Sequence, residues 1–309
     1  MGIELSIMIE GQDGLSWPRW QRLARAAEDL GFHGLYRSDH FTNPQGPIID
    51  QLETWVSFAW LASNTSRIAF GPLVSPLSFR NPSILAWQAS AVDALSGGRL
   101  RLGLGAGWQD REHEAFGFDL LGVKDRFDRF EEGVEVVKLL TRATEPVSFE
   151  GKYFSLKDAQ LKPRSPRADG PPLVIGGSGP KRTLPLAAKF ADEWNAVMLL
   201  PEDYADLCGR LDELLAQEGR EPKSLKRTLM TRCVVGHDEA ALDAKIDAES
   251  KQRLLARGAL IGTPDQIVEM LGRYRNAGVE GVMLQWIDMD DISGLELIAE
   301  KVFPQVRAN

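Results

Sequence analysis

Asp39 and His40 stand side by side where an apolar run, Gly34 to Arg37, breaks into a polar loop. A carboxylate beside an imidazole can move a proton near neutral pH, because histidine titrates there and an acid can orient or charge it. The same two residues also make an ordinary structural pair or helix cap, so by themselves they leave both readings open. Three further segments are unusual. Gly176-Gly177-Ser178-Gly179 follows an apolar run and precedes Pro180, Lys181 and Arg182. Small residues there let a ligand approach the backbone, amides ahead of a helix attract an anion, and two cations add charge, so a phosphate is the expected occupant and a plain glycine-rich turn the alternative. Pro180 is placed to open that helix. Gly71 to Pro76 sets two prolines around Leu73 and Val74, which makes a rigid turn or a strained backbone. Gly105-Ala106-Gly107 ends in Trp108, whose indole can pack on a flat or apolar substrate but cannot act as a carboxylic acid.

These residues need a scaffold that gathers them, and the rest of the chain alternates strand-like and helix-like segments over nearly its whole length. Strands are expected at 5–10, 35–37, 67–75, 99–108, 171–177, 193–199, 225–236 and 281–287, with helices such as 17–30, 52–63, 81–95 and 126–141 between them. Eight strands in βα order predict an α/β fold, a closed (β/α)8 TIM barrel formed from residues 1–309 as one domain. An open doubly wound sheet shows the same alternation, but Gly103 to Trp108 lacks the dinucleotide spacing and 176–183 is no Walker loop. Two segments interrupt the repeat. Residues 109–124 form a polar insertion, and 146–170 form a hairpin around Glu150-Gly151 followed by a Pro- and Arg-rich loop. In a barrel, all four unusual segments fall at the C-terminal strand ends, where catalytic groups cluster.

A formal net charge of −8 over 309 residues argues against nucleic acid or an anionic membrane as partner and leaves a small molecule as the expected substrate. Cys208 and Cys233 are too few for a disulfide scaffold, and no signal peptide or spanning run opens the chain, so a reducing, cytoplasmic setting is expected. Glu112, His113 and Glu114 lie in a helical, strongly polar stretch that reads as a solvated surface turn. Glu112 and His113 lack a third partner, so no metal site is expected.

The segments Ser38-Asp39-His40-Phe41, 71–108, Glu112 to Gly117 and 171–182 together resemble the luciferase-like monooxygenase superfamily, in particular the branch that uses the deazaflavin coenzyme F420. That resemblance covers almost the whole chain and implies a luciferase-like barrel with insertions around its C-terminal mouth. It implies that Asp39 hydrogen-bonds near the deazaflavin ring and that His40 stands by the reactive carbon. It places a non-prolyl cis bulge at Pro72-Leu73-Val74 behind the ring, Ala106 and Gly107 along the ring edge and ribityl chain, and the phosphate on Gly176, Gly177, Ser178 and Gly179. Trp108 occupies the position where the sugar-phosphate dehydrogenases of this branch carry a glutamate proton donor, which speaks against that substrate and assigns the indole to the substrate pocket.

The implied function is F420-dependent hydride transfer to or from a small organic molecule. FMN-using members share the same segments, so FMN is the alternative cofactor, in a two-component monooxygenase fed by a separate flavin reductase. A non-catalytic flavin-binding protein is a third reading. A homodimer through exterior helices such as 52–63 is a further implication of the resemblance.

Overall fold

Short apolar runs that end at glycine, proline or polar residues are too brief for stable helices and pair instead as strands, while the longer amphipathic stretches between them coil. The computed structural model describes residues 2–307. Its first half runs β1 (Glu4–Ile9), α1 (Trp17–Asp29), β2 (Gly34–Arg37), α2 (Thr54–Asn64), β3 (Ala69–Pro72), β4 (Ser75–Pro76), α3 (Pro82–Leu95), β5 (Leu102–Gly105), α4 (Asp110–Phe116) and α5 (Val123–Arg142). A hairpin of β6 (Val147–Glu150) and β7 (Ser155–Ala159) follows. The second half continues with β8 (Leu173–Gly176), α6 (Thr183–Phe190), β9 (Glu193–Val197), α7 (Pro201–Gln217), β10 (Lys226–Val235), α8 (Glu239–Asp243), α9 (Ala248–Leu255), β11 (Leu260–Gly262), α10 (Pro264–Asn276) and β12 (Gly281–Gln285).

Eight of these strands are barrel staves. In parallel register β2 pairs with β1 and β3, β12 with β1 and β10, β9 with β10 and β8, and β8 with β5. The ring closes where Phe70 meets Leu100 in a parallel bridge, with Arg101 N donating to Phe70 O. Glycine makes this seam possible: a Cβ on Gly71 would lie 1.8 Å from Arg101 O, and one on Gly103 2.0 Å from Pro72 O. The expected third strand is interrupted. β3 stops at Pro72, a cis peptide joins Leu73 to Val74, and β4 resumes against β5.

Alternation along the strands sorts the two cores. Leu5, Ile7 and Ile9 face the helices and pack with Trp20, Leu23 and Phe58 in the main core. Met8 points inward and meets Tyr36, Met230 and Met283, with Leu73 above them. Below that layer the interior is ionic, with Arg101 bound to Glu193 at 2.9 Å and Lys226 to Glu4.

Local signals account for the helices that frame the mouth. α1 buries Trp20, Leu23, Ala24 and Ala27, an i, i+3, i+4, i+7 stripe, and the chain turns out of it at Gly31 with φ +83°. α3 starts at Pro82, where the Asn81 side chain accepts from Ser83 N at 2.9 Å, a cap worth about 1 kcal/mol. The hairpin lies along the barrel flank, its apolar side chains Phe149, Phe154 and Leu156 packing with Ala86, Val136 and Leu140 of α3 and α5. Glu132 of α5 holds its turn by accepting from the backbone N–H groups of Lys152, Tyr153 and Phe154. Among the described residues no helix is long and apolar enough to cross a membrane.

Candidate active site

At the end of β2 the structure separates the two neighbours that the sequence sets together. Asp39 is buried, and its carboxylate is taken by β3–β4 and the turn after them. Ser75 Oγ and Arg80 Nε donate to Oδ2, both at 2.6 Å, and Arg80 Nη2 donates to Oδ1 at 2.7 Å. Burial pushes this carboxyl up, but the Arg80 guanidinium and these hydrogen bonds outweigh it and hold Asp39 below the ordinary aspartate range. Asp39 is therefore the partner of Arg80, not of His40, and the expectation of an Asp39-His40 polarising pair is corrected.

His40 is served from the other side. Its Nδ1 lies 2.8 Å from Glu112 Oε1, while Glu112 Oε2 accepts from Phe41 N at 2.8 Å. Glu112 and His113 were expected on a solvated helical turn; both are buried, at 1% and 2% exposure, and Glu112 is the acid of the site. The short α4 grips the His40 loop at three points. Besides Glu112, Gln109 exchanges hydrogen bonds with Thr42, accepting from Oγ1 at 3.0 Å and donating to its carbonyl at 2.9 Å. Arg111 donates to the carbonyls of Asn43 and Gly46. With Nδ1–H given to a carboxylate, Nε2 is the nitrogen left to face the mouth. Burial pulls the imidazole pKa down, yet the hydrogen bond and charge of Glu112 more than reverse this, so His40 holds its proton to higher pH than an ordinary histidine.

Trp108 stands T-shaped to this imidazole, ring centroids 5.6 Å apart at 80°, and is 58% exposed. It is a wall open to the mouth, as a substrate-pocket residue would be. Behind it Gly107 turns at φ +83°, and a Cβ there would lie 2.1 Å from Ser78 Oγ. Among the described residues neither Ser78 Oγ nor His113 Nε2, both buried, has a hydrogen-bond partner. Ala106 and Gly107 are half-buried and reach the mouth from β5. Next to them Val74 fills the space above three glycines: a Cβ on Gly103, Gly105 or Gly176 would come within 3.0, 2.5 or 3.0 Å of its methyls. Pro72, Leu73 and Val74 thus form the floor of the mouth, and the non-prolyl cis bond lies between Leu73 and Val74 as expected.

Gly176 ends β8 and Gly177 follows at φ +118°, its N–H given to Asn195 O and its carbonyl accepting from Trp194 Nε1 at 2.8 Å. Ser178 Oγ accepts from Val197 N. The helix does not open at Pro180. Residues 180–182 make a turn and α6 begins at Thr183; Thr183 N makes a helix-like bond to Gly179 O, but Leu184 N also reaches back to Gly179 O instead of to Pro180 O. Arg182 is engaged with Asp128 at 3.3 Å, so of the expected basic pair Lys181 stays beside the backbone turn. Free of side chains at Gly177 and Gly179, this turn suits close approach of a phosphate. Among the described residues no group of three His, Cys, Asp or Glu side chains is arranged to hold a metal ion.

The family model described as luciferase-like monooxygenase matches residues 5–253. An F420-dependent hydroxymycolic acid dehydrogenase of Mycobacterium tuberculosis is 32% identical over 223 residues, covering 72% of this chain and 60% of that protein's own length. A pyrimidine monooxygenase of Agrobacterium fabrum is 29% identical over 83% of this chain and 79% of its own. In fold the chain is similar to an F420-dependent secondary alcohol dehydrogenase solved with an F420-acetone adduct, at a TM-score of 0.84, 21% identity and full coverage of both chains.

Proposed function

Since this chain belongs to the luciferase-like monooxygenase family, we propose that it is an oxidoreductase working with coenzyme F420, moving hydride to or from a small organic substrate. The observation that carries this reading is the buried Glu112 carboxylate bound to His40 Nδ1, which leaves Nε2 at the mouth of the barrel. When bound, the deazaflavin supplies a two-electron hydride carrier. His40 Nε2 takes the proton of a substrate hydroxyl as its carbon is oxidised, or returns one to the oxygen when a carbonyl is reduced, and Glu112 stabilises the imidazolium that forms. The bare turn at Gly176, Gly177, Ser178 and Gly179 would hold the coenzyme phosphate. Ala106 and Gly107 would follow the ribityl chain, and Leu73 and Val74 would back the ring. Asp39 acts through Arg80 and Ser75 as a positioning residue for the floor. Trp108 is the wall against which an apolar or flat substrate packs.

The second reading is an FMN-dependent monooxygenase that receives reduced flavin from a separate reductase, favoured by the likeness to the pyrimidine monooxygenase. A flavin-binding protein without turnover is disfavoured by the proton-transfer pair at His40. Titration decides. Quenching of deazaflavin fluorescence at micromolar protein supports F420, selective retention of FMN supports the second reading, and neither result would remove both.

Val56 of α2 and Ile84, Trp87 and Leu95 of α3 are large apolar residues exposed by more than half. We assign that face to a second copy of the chain, and sedimentation of the purified protein tests it. Both cysteines are buried free thiols, which fits a reducing cytoplasm.

A further inference from the structure

Three arginines of the barrel or its mouth are occupied. Arg37 donates to Ser57 Oγ and to the carbonyls of Ser38 and Leu52, Arg80 pairs with Asp39 and Glu53, and Arg101 pairs with Glu193. Arg232 is different. It sits on β10 in register with Gln285 of β12, two residues beyond the inward-facing Met230, so its side chain projects into the mouth. Among the described residues its side chain makes no hydrogen bond and no ion pair, and its Nη1 is buried without a partner. Glu10, Asp13 and Asp288 lend it charge from a distance. Glu10 does not reach it; its Oε1 accepts from Gln285 Nε2 at 2.7 Å and its Oε2 from Gln12 Nε2 at 3.0 Å.

A half-buried guanidinium with an idle fork of donors is costly unless something uses it, and that fork matches a planar carboxylate. We propose that Arg232 anchors a carboxylate on the substrate, at the end remote from the carbon that reacts beside His40. This rests on reading the barrel mouth as a substrate pocket. Around the ring β12 and β1 separate β10 from β2, so a molecule that touches both residues spans the mouth. Coulombic attraction falls with distance, so a carboxylate in contact outweighs each acid that stands farther away.

The test uses hexanoate, hexanamide and hexanol, probes of one length with different heads, titrated calorimetrically into the protein with and without bound deazaflavin. Wild type should bind the acid roughly tenfold or more tighter than the amide or the alcohol. Arg232→Met should abolish that preference and Arg232→Lys restore part of it, with coenzyme affinity unchanged in both. Arg232→Met should also melt no lower than wild type, since it removes an unpaired charge, which separates lost binding from lost folding. Equal affinity of the three probes for wild type, no binding of the acid, or a preference that survives in Arg232→Met overturns the proposal. So does a coenzyme affinity that falls in Arg232→Met without any acid preference, which would give the arginine to the coenzyme instead. Failure of the wild type to bind deazaflavin would sink the hydride-transfer reading, while the probe series on the unloaded protein still decides Arg232.

Discussion

Replacing Glu112 by glutamine asks whether the His40 imidazole is held and charged from behind. The carboxylate accepts two hydrogen bonds at 2.8 Å, from His40 Nδ1 and from Phe41 N. An amide has one oxygen and one NH2 group, so it satisfies only one of those donors. With its oxygen on Phe41, the amide nitrogen donates to Nδ1 and drives the imidazole proton to Nε2. With its oxygen on Nδ1, two N–H groups oppose each other at Phe41. Either arrangement loses a charge-assisted hydrogen bond at a carboxylate that is 1% exposed, worth about 1.5–3 kcal/mol. The step in which His40 carries charge should therefore slow by roughly 10- to 150-fold. Burial, no longer opposed by Glu112, also lowers the His40 pKa in the variant. The limb of kcat/KM that reports His40 then moves to lower pH, whether the reaction needs the imidazole neutral, as in alcohol oxidation, or charged, as in carbonyl reduction. The assay is the deazaflavin absorbance change followed from about pH 5 to 9, beside a coenzyme binding titration. A variant with wild-type kcat and an unmoved limb, at unchanged coenzyme affinity, would refute the role given to Glu112.

His40→Ala should lower kcat by roughly 100-fold or more with little change in coenzyme affinity, and an unchanged kcat would take His40 out of the chemistry. Asp39→Asn leaves Arg80 with only the 41%-exposed Glu53, and breaking such a pair costs about 3–5 kcal/mol, read from urea unfolding. Because the folded-state pKa of Asp39 is depressed, the stability it adds is complete above the ordinary aspartate range and disappears as pH falls through the folded value. The variant's stability should thus depend less on acid than wild type's, and parallel curves would contradict the ion-pair account. Gly177→Ala should weaken the intact coenzyme about tenfold or more and the phosphate-free ring little. Gly278→Ala, which also places alanine at a large positive φ (+95°) in open space, is the control, and equal losses for both ligands would move the phosphate elsewhere.

The barrel is legible because eight apolar runs alternate with helices that carry one buried stripe, and this periodicity survives even where a strand is only four residues long. The acid of the site is not legible by the same means. α4 is short and rich in charge, so hydrophobic periodicity reads it as solvated, yet Gln109, Glu112 and His113 fall at i, i+3 and i+4 on one face that is buried as a polar stripe. That spacing was the available signal. Asp39 misled for a complementary reason. Its true partner, Arg80, lies 41 residues on and is brought to it by the turn after β4, whereas sequence adjacency favours His40. At the turn after β8, Pro180 stands where a helix start is expected, but the Leu184 amide reaches back to Gly179 O and the regular helix begins only at Thr183. The kink between Leu73 and Val74 came from likeness to a family, since no residue type in that segment requires it.

The packing of Val74 over the glycines makes the level of the barrel floor a property of one side chain. Gly103 is fixed independently, because a Cβ there would also meet Pro72 O at 2.0 Å, but Gly105 and Gly176 are crowded within 4 Å only by Val74. Positions 74, 105 and 176 therefore exchange volume among themselves at constant backbone. Shortening Val74 deepens the floor, and only then does an alanine at 105 become admissible. Anyone reshaping this cavity by randomising one position at a time would collect overpacked or hollowed variants, whereas paired changes at 74 and 105, or 74 and 176, move the floor without disturbing the staves that carry it.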